Sequence, residues 1–211
     1  MTATRETDSA KLRIGVLASG SGTTLQAVID ACETGELDAR VVLVISNNSG
    51  SGAMSRASRH GIEHLHLSSH THQDPDSLDR AIADSLRAAA PDVVLLAGYM
   101  KKLGPRTLEA YRGRIINTHP SLLPNYGGRG MYGKHVHAAV IAAGDRVSGV
   151  SVHLVDAEYD TGPVLARREI SVGEADDAAD LAARVQSIER PFLVEVLQKI
   201  AGGEIPLAGQ S

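Results

Sequence analysis

Asn117 and His119 stand two positions apart in "NTHPSLLP", and Asp160 stands in "VDAEYDTGPVL", about forty positions further on. In a strand, residues i and i+2 project to one side, so the amide and the imidazole share a face at a strand's end. Pro120 biases His119 toward extended backbone. A carboxamide N–H can donate to an oxyanion, and an imidazole can carry a proton near neutrality. A carboxylate beside that imidazole favours its charged form and raises its pKa. If Asp160 reaches His119, the three make an acid, an oxyanion donor and an orienting carboxylate, suited to attack on an acyl or formyl carbonyl. The residues offer no nucleophile for a covalent intermediate: no GxSxG occurs, and Cys32, the sole cysteine, is expected on the apolar face of a helix. Transfer would run directly from donor to an amine.

A second candidate centre is "SGSGTT", between an apolar run and a helical pattern, where backbone N–H groups and the helix dipole converge on an anion. Leu25 stands where a dinucleotide fingerprint has its third glycine, and the second strand ends in Ser46-Asn47 without an acidic ribose ligand. No lysine follows the turn, as a triphosphate loop requires. A single phosphate monoester is the expected ligand; a tight turn with no ligand is the alternative. Three histidine pairs (His64/His66, His70/His72, His135/His137) have the i, i+2 spacing that would put two imidazoles on one face of a strand. No third ligand of matched spacing stands out, and no metal is expected.

The elements that must position these residues alternate. Leu12–Ala18 reads as a buried strand, followed by a helix with Leu25, Val28, Ile29 and Cys32 on one face. A β-branched run from Val41 to Ile45 leads to a short helix ending near Arg59. Asp74 and Pro75 open a third helix with Leu78, Ile82 and Leu86 on one face, stopped by Pro91. "DVVLLAG" and "RIIN" are further strands. Such alternation predicts an α/β fold: a Rossmann-like, mostly parallel twisted sheet with helices on both faces. Loops at the carboxyl ends of its strands would gather the site residues. After residue 124 a glycine-rich loop (124–133) precedes a helix over about 134–143. Two strands around a tight loop follow, then a last helix from about Asp180 to Ile200 containing Pro191, which is expected to kink it.

The chain has 211 residues, 43% apolar, ample for a core, and a net charge of −4 spread without long runs, which argues against a non-specific grip on nucleic acid. One cysteine suits a reducing compartment, and no apolar run approaches a membrane span. A cytoplasmic protein is expected, with a frayed extension (1–11), a single domain (12–203) and a C-terminal tail (204–211).

"SGSGTTLQ", "PDVVLLAGYM", "INTHPSLLP", "SVHLVDAEYDTGPV" and "ARVQSIE" occur in the order and spacing of one family, which the chain resembles from about Leu12 to Gly202. That family is the phosphoribosylglycinamide formyltransferases, folate-dependent enzymes of purine biosynthesis. The resemblance implies the formyltransferase fold, N10-formyltetrahydrofolate as co-substrate, and transfer of its formyl group to the amine of phosphoribosylglycinamide. It assigns Asn117, His119 and Asp160 to catalysis, and Gly22, Thr23, Thr24, Gln186 and Glu189 to the nucleotide's phosphate and ribose. The folate is assigned to Met100, Lys101, Lys102 and Leu103, with Asn117 and the segment Val155, Asp156, Ala157, Glu158, Tyr159 and Asp160. Ser151 and His153 are expected behind the trio. Lys101 replaces a frequent arginine, which keeps the charge and loses bidentate geometry. Small molecules are the expected partners, of a monomer or homodimer, with no nucleic acid or membrane. Alternatives are a formyltransferase acting on another amino sugar nucleotide and a formyltetrahydrofolate hydrolase; such hydrolases carry an extra N-terminal domain, whereas about eleven residues precede the first strand here.

Overall fold

The computed structural model describes residues 11–209; the expected N-terminal extension, apart from Lys11, lies outside them. The elements are β1 (Leu12–Ala18), α1 (Thr23–Thr34), β2 (Ala39–Ser46), α2 (Gly52–Arg59), β3 (His64–His66), α3 (Pro75–Ala89), β4 (Val93–Leu96), α4 (Pro105–Ala110), β5 (Ile115–His119), α5 (Lys134–Ala143), β6 (Val147–Leu154), β7 (Val164–Ser171) and α6 (Ala178–Ala201). The strands form a seven-stranded sheet in the order β3-β2-β1-β4-β5-β6-β7. β1 pairs in parallel with β2 and β4, and β2 with β3, while β6 is antiparallel to both β5 and β7. The chain divides into two compact units, one running up to Ile115 and resuming at Leu197, the other spanning Ile116–Val196.

In the first unit the apolar runs explain the strands. All four residues of β4 are buried. Consecutive strand residues face opposite sides, so both sides of the sheet are covered there, as the unbroken apolar text of a parallel strand requires. Ile14, Leu17, Leu43, Ile45 and Leu95 are fully buried; truncating such a side chain to alanine costs about 2–5 kcal/mol. Cys32 is only half-buried on α1, whose buried positions are Leu25, Val28, Ile29 and Ala31. Burial still pushes its thiol up to about 11. α3 begins as the sequence indicates: the Asp74 carboxylate accepts the Ser77 N–H at 2.8 Å, and Pro75 occupies the first turn. It ends at Ala89, where Ala90 turns left-handed ahead of Pro91.

One buried acid organises the stretch between β4 and β5. Asp79 of α3 accepts the backbone N–H groups of Arg106 (2.7 Å) and Thr107 (3.0 Å) and the Thr107 hydroxyl (2.6 Å). It thereby caps α4, whose preceding residue, Gly104, supplies no side-chain cap. Within residues 204–208 Leu207 is buried, and the Ala208 N–H donates to the Gly113 carbonyl at 3.3 Å.

In the second unit β6 and β7 form an antiparallel hairpin against β5, with His119 opposite Ser151 and Asn117 opposite His153. Pro191 lies inside α6 without ending it.

Replacing Asp79 by alanine removes the acceptor of two backbone N–H groups, that of Thr107 buried, and leaves the Thr107 hydroxyl only its longer bond to the Asp79 main-chain carbonyl (3.3 Å). Asp79→Ala is expected to lower unfolding stability by about 2–3 kcal/mol, read from the urea midpoint, with Asp79→Asn intermediate because its amide oxygen still accepts.

Candidate active site

In the second unit, the strand pleat places Asn117 and His119 on one side of β5, and Asp160 meets His119 there. His119 Nδ1 lies 3.6 Å from Asp160 Oδ2, and His153 Nε2 lies 3.6 Å from Asp160 Oδ1, so the carboxylate faces an imidazole with each oxygen. Both histidines are buried. The Gly128 N–H donates to Asp160 Oδ2 at 2.9 Å.

The route by which Asp160 arrives differs from the one the sequence suggests. "INTHP" and "YDTGP" do not end neighbouring parallel strands: β6 is antiparallel, and its last residue, Leu154, pairs with Ile116 at the start of β5. The loop after β6 instead closes on its own base and turns back. The Leu154 N–H donates to the Pro163 carbonyl at 2.8 Å. Gly162 passes so near the Leu154 carbonyl that a Cβ there would sit 1.9 Å from its oxygen, so this position admits only glycine. Inside the loop Asp156 Oδ1 accepts from the Glu158 N–H (3.0 Å) and the Thr161 hydroxyl (2.8 Å), and Asp160 itself is left-handed at φ 59°.

Hydrogen-bond direction settles the orientation of Asn117. His153 Nδ1 lies 2.9 Å from the Leu154 carbonyl, and a carbonyl only accepts, so Nδ1 bears a proton. Burial pushes the pKa of His153 down, against the smaller pull of Asp160, so the ring is neutral at neutral pH and its Nε2 is an acceptor. The Asn117 Nδ2, 3.1 Å from that Nε2, is therefore the donor. One amide hydrogen is spent on His153 and the other remains for a ligand. Ser151, also buried on β6, accepts the Leu123 N–H (3.0 Å) and donates to the Ser121 carbonyl (2.7 Å), holding the turn after His119. Thr118 donates to Glu189 of α6 at 2.8 Å, while Gln186, one turn earlier, is exposed.

The remaining sequence candidates lie in the first unit. Gly22 is the N-cap of α1 at φ 71°, and no side chain caps that helix, so its first N–H groups have no side-chain partner. A Cβ on Gly22 would stand 2.6 Å from the Cα of Ala53 in α2, so the glycine is required by packing as well as by any ligand. Arg56 of α2 donates from Nε to the Ser21 carbonyl at 3.0 Å. Thr23 is exposed and Thr24 half-buried. Ser19, after β1, ties this turn to two other strand ends: its hydroxyl donates to Asn47 Oδ1 (2.5 Å) and accepts the Met100 N–H (2.8 Å). Met100, Lys101 and Lys102 are exposed and Leu103 is buried. Of the folate-assigned loop, Asp156, Ala157, Glu158 and Tyr159 are exposed and Val155 is half-buried.

His137 escapes the sequence reading. The i, i+2 spacing of His135/His137 implies a shared face only on a strand; on α5 the two diverge, His135 exposed and His137 buried beside Val136 and Val140. The helical period of "HVHAAVIAA" carries that signal. Its pKa is pushed down by burial and then by the His119 charge. Among the described residues no group of three or more His, Cys, Asp or Glu side chains is arranged to hold a metal ion.

A family model described as formyl transferase matches residues 12–197. The chain belongs to the formyl transferase family. Within it, the chain is 37% identical over 196 residues to the phosphoribosylglycinamide formyltransferase of Escherichia coli, covering 93% of this chain and 90% of that one. It is 39% identical over 189 residues to the chloroplastic phosphoribosylglycinamide formyltransferase of Vigna unguiculata, spanning 89% of this chain and 60% of that relative's length. Among solved formyl transferase structures, glycinamide ribonucleotide transformylase 1 from Symbiobacterium toebii superposes with a TM-score of 0.85 at 36% identity, over 95% of this chain and 92% of that one. Formyl transferases of this kind imply a folate co-substrate. No helix among the described residues is long and apolar enough to cross a membrane.

The two buried histidines make stability depend on pH. For His137 and His153 the folded pKa lies below the ordinary 6.5. The unfolded chain therefore binds more protons as pH falls beneath that value, and the stability present above it is lost toward the depressed folded value. The urea midpoint is expected to drop between about pH 7.5 and pH 5.5, by less in His137→Asn. An unchanged midpoint would show that neither ring is held neutral.

Proposed function

We propose that the protein transfers the formyl group of N10-formyltetrahydrofolate to the amine of phosphoribosylglycinamide. The observation that carries this reading is the closed set at the end of β5, in which Asp160 faces His119 and His153 while His153 turns one N–H of Asn117 outward. The names of the curated relatives support the substrates.

In the reaction the amine nitrogen attacks the formyl carbon, forming the new C–N bond and moving the carbonyl π electrons onto oxygen. The remaining Nδ2–H of Asn117 donates to that oxyanion, and being fixed in advance it pays no reorganisation as charge develops. Protonated His119 faces the same centre and serves as general acid. Collapse of the tetrahedral intermediate re-forms the carbonyl and breaks the bond to N10, which receives a proton as the former amine loses one. Asp160 balances the imidazolium and orients its ring. The nucleotide's phosphate is assigned to the uncapped start of α1 at Gly22, Thr23 and Thr24, with Gln186 and Glu189 meeting phosphate and ribose. Met100, Lys101, Lys102 and Leu103, with residues 155–160, take the folate. Ser151 and His153 hold the reacting groups from behind.

Purified protein is expected to deformylate the folate only when phosphoribosylglycinamide is present, followed by absorbance and by product mass. His119→Ala or Asp160→Ala should lower kcat by about 10²–10⁴ with the fold retained, and Asn117→Ala by about 10²–10³. Thr24→Ala should raise KM for the nucleotide and spare the folate; it is a cleaner probe than any Gly22 variant, which would collide with Ala53. Turnover with another amino sugar nucleotide but not with this acceptor, or with water alone, would replace the reading.

A further inference from the structure

The segment after the active-site strand is pinned at three points, and the pins aim one backbone carbonyl. The Ser121 hydroxyl donates to the Asn125 carbonyl at 2.6 Å, the Tyr126 phenol donates to Asp145 Oδ2 at 2.6 Å, and the Gly128 N–H donates to Asp160 at 2.9 Å. Between them Tyr126 adopts φ 56°, a left-handed conformation uncommon for a bulky residue. Its carbonyl oxygen then lies 2.7 Å from His119 Nε2.

We propose that Tyr126, anchored by its phenol on Asp145, is a positioning residue whose carbonyl fixes His119 as the Nε2–H tautomer and makes Nδ1 the atom that gains and loses the proton. A carbonyl oxygen only accepts, so Nε2 keeps its hydrogen in both the neutral and the charged ring. The lone pair of the neutral ring therefore sits on Nδ1, the nitrogen that faces Asp160. The other titratable groups around His119 are His153 of β6 and His137 of α5, both held toward the neutral form by burial. His153 carries its proton on the opposite nitrogen, Nδ1, toward Leu154. The site thus contains two imidazoles in opposite tautomers, each set by one main-chain oxygen. The phenol's donation to Asp145 raises the pKa of Tyr126, so the anchor stays protonated at any working pH.

The inference rests on His119 being the proton carrier of the proposed reaction, and its test reads the ring directly. Long-range ¹H–¹⁵N correlation spectra of the ¹⁵N-histidine-labelled full chain, with His119 signals identified by their loss in His119→Gln, are expected to show a pyrrole-type Nε2 and a pyridine-type Nδ1 at about pH 8. Tyr126→Phe removes the anchor; it is expected to shift both signals toward tautomer averaging and to lower kcat several-fold with little change in either KM. Asp145→Asn, whose amide oxygen still accepts from the phenol, should keep the wild-type pattern. A pyridine-type Nε2 in the wild type, or unchanged signals in Tyr126→Phe, overturns the inference. Full turnover in His119→Ala would instead overturn the proposed function, whatever the spectra show.

Discussion

A main-chain carbonyl can accept a hydrogen bond and cannot donate one, and the chemistry of the second unit follows from where two such oxygens point. The Leu154 carbonyl holds the proton of His153 on Nδ1, and the Tyr126 carbonyl holds that of His119 on Nε2. With one nitrogen of each ring committed, the other two are left for Asn117 and Asp160. The amide is then forced to present its NH₂ to His153, and the carboxylate lies 3.6 Å from the second nitrogen of each ring with one oxygen apiece. A side chain in either carbonyl's place could rotate. The backbone, tied into strand and loop, cannot, which gives the site its directionality at little entropic cost.

The same economy appears in the first unit. Ser19 uses its hydroxyl twice, as donor to Asn47 and as acceptor from Met100. It thus joins the residues that follow β1, β2 and β4 with two hydrogen bonds. Asp79 caps α4 from α3 across a comparable gap in sequence. Loops at strand ends carry function because their backbones are free of the ladder, and that freedom has to be removed again by side chains reaching over from neighbouring elements.

Much of this was legible from residues alone. The unbroken apolar runs, the Asp74-Pro75 start of α3 and the switch between periods of 2 and 3.6 identify strands and helices, because each rests on local backbone physics. Asn117 and His119 could be put on one face by counting. How Asp160 reaches them could not: a short loop makes β6 and β7 an antiparallel hairpin, but in which direction that hairpin lies against β5 is decided only by the observed pairing of β6 with β5. Tyr126 had no signal at all, since it acts through a carbonyl that every residue possesses. His135 and His137 misled for a plainer reason, the wrong period applied to a helical stretch.

Half-burial of the chain's single sulfhydryl has an outcome for its chemistry under oxidants. With the Cys32 thiol pushed up to about 11, the thiolate that must attack a peroxide or a disulfide amounts at neutral pH to on the order of one molecule in ten thousand. Sulfenylation and glutathionylation at that position are correspondingly slow. Vulnerability passes to a different sulfur: the thioether of Met100, 57% exposed behind β4, needs no deprotonation to become a sulfoxide. A sulfoxide formed there is one that a reductase can reverse.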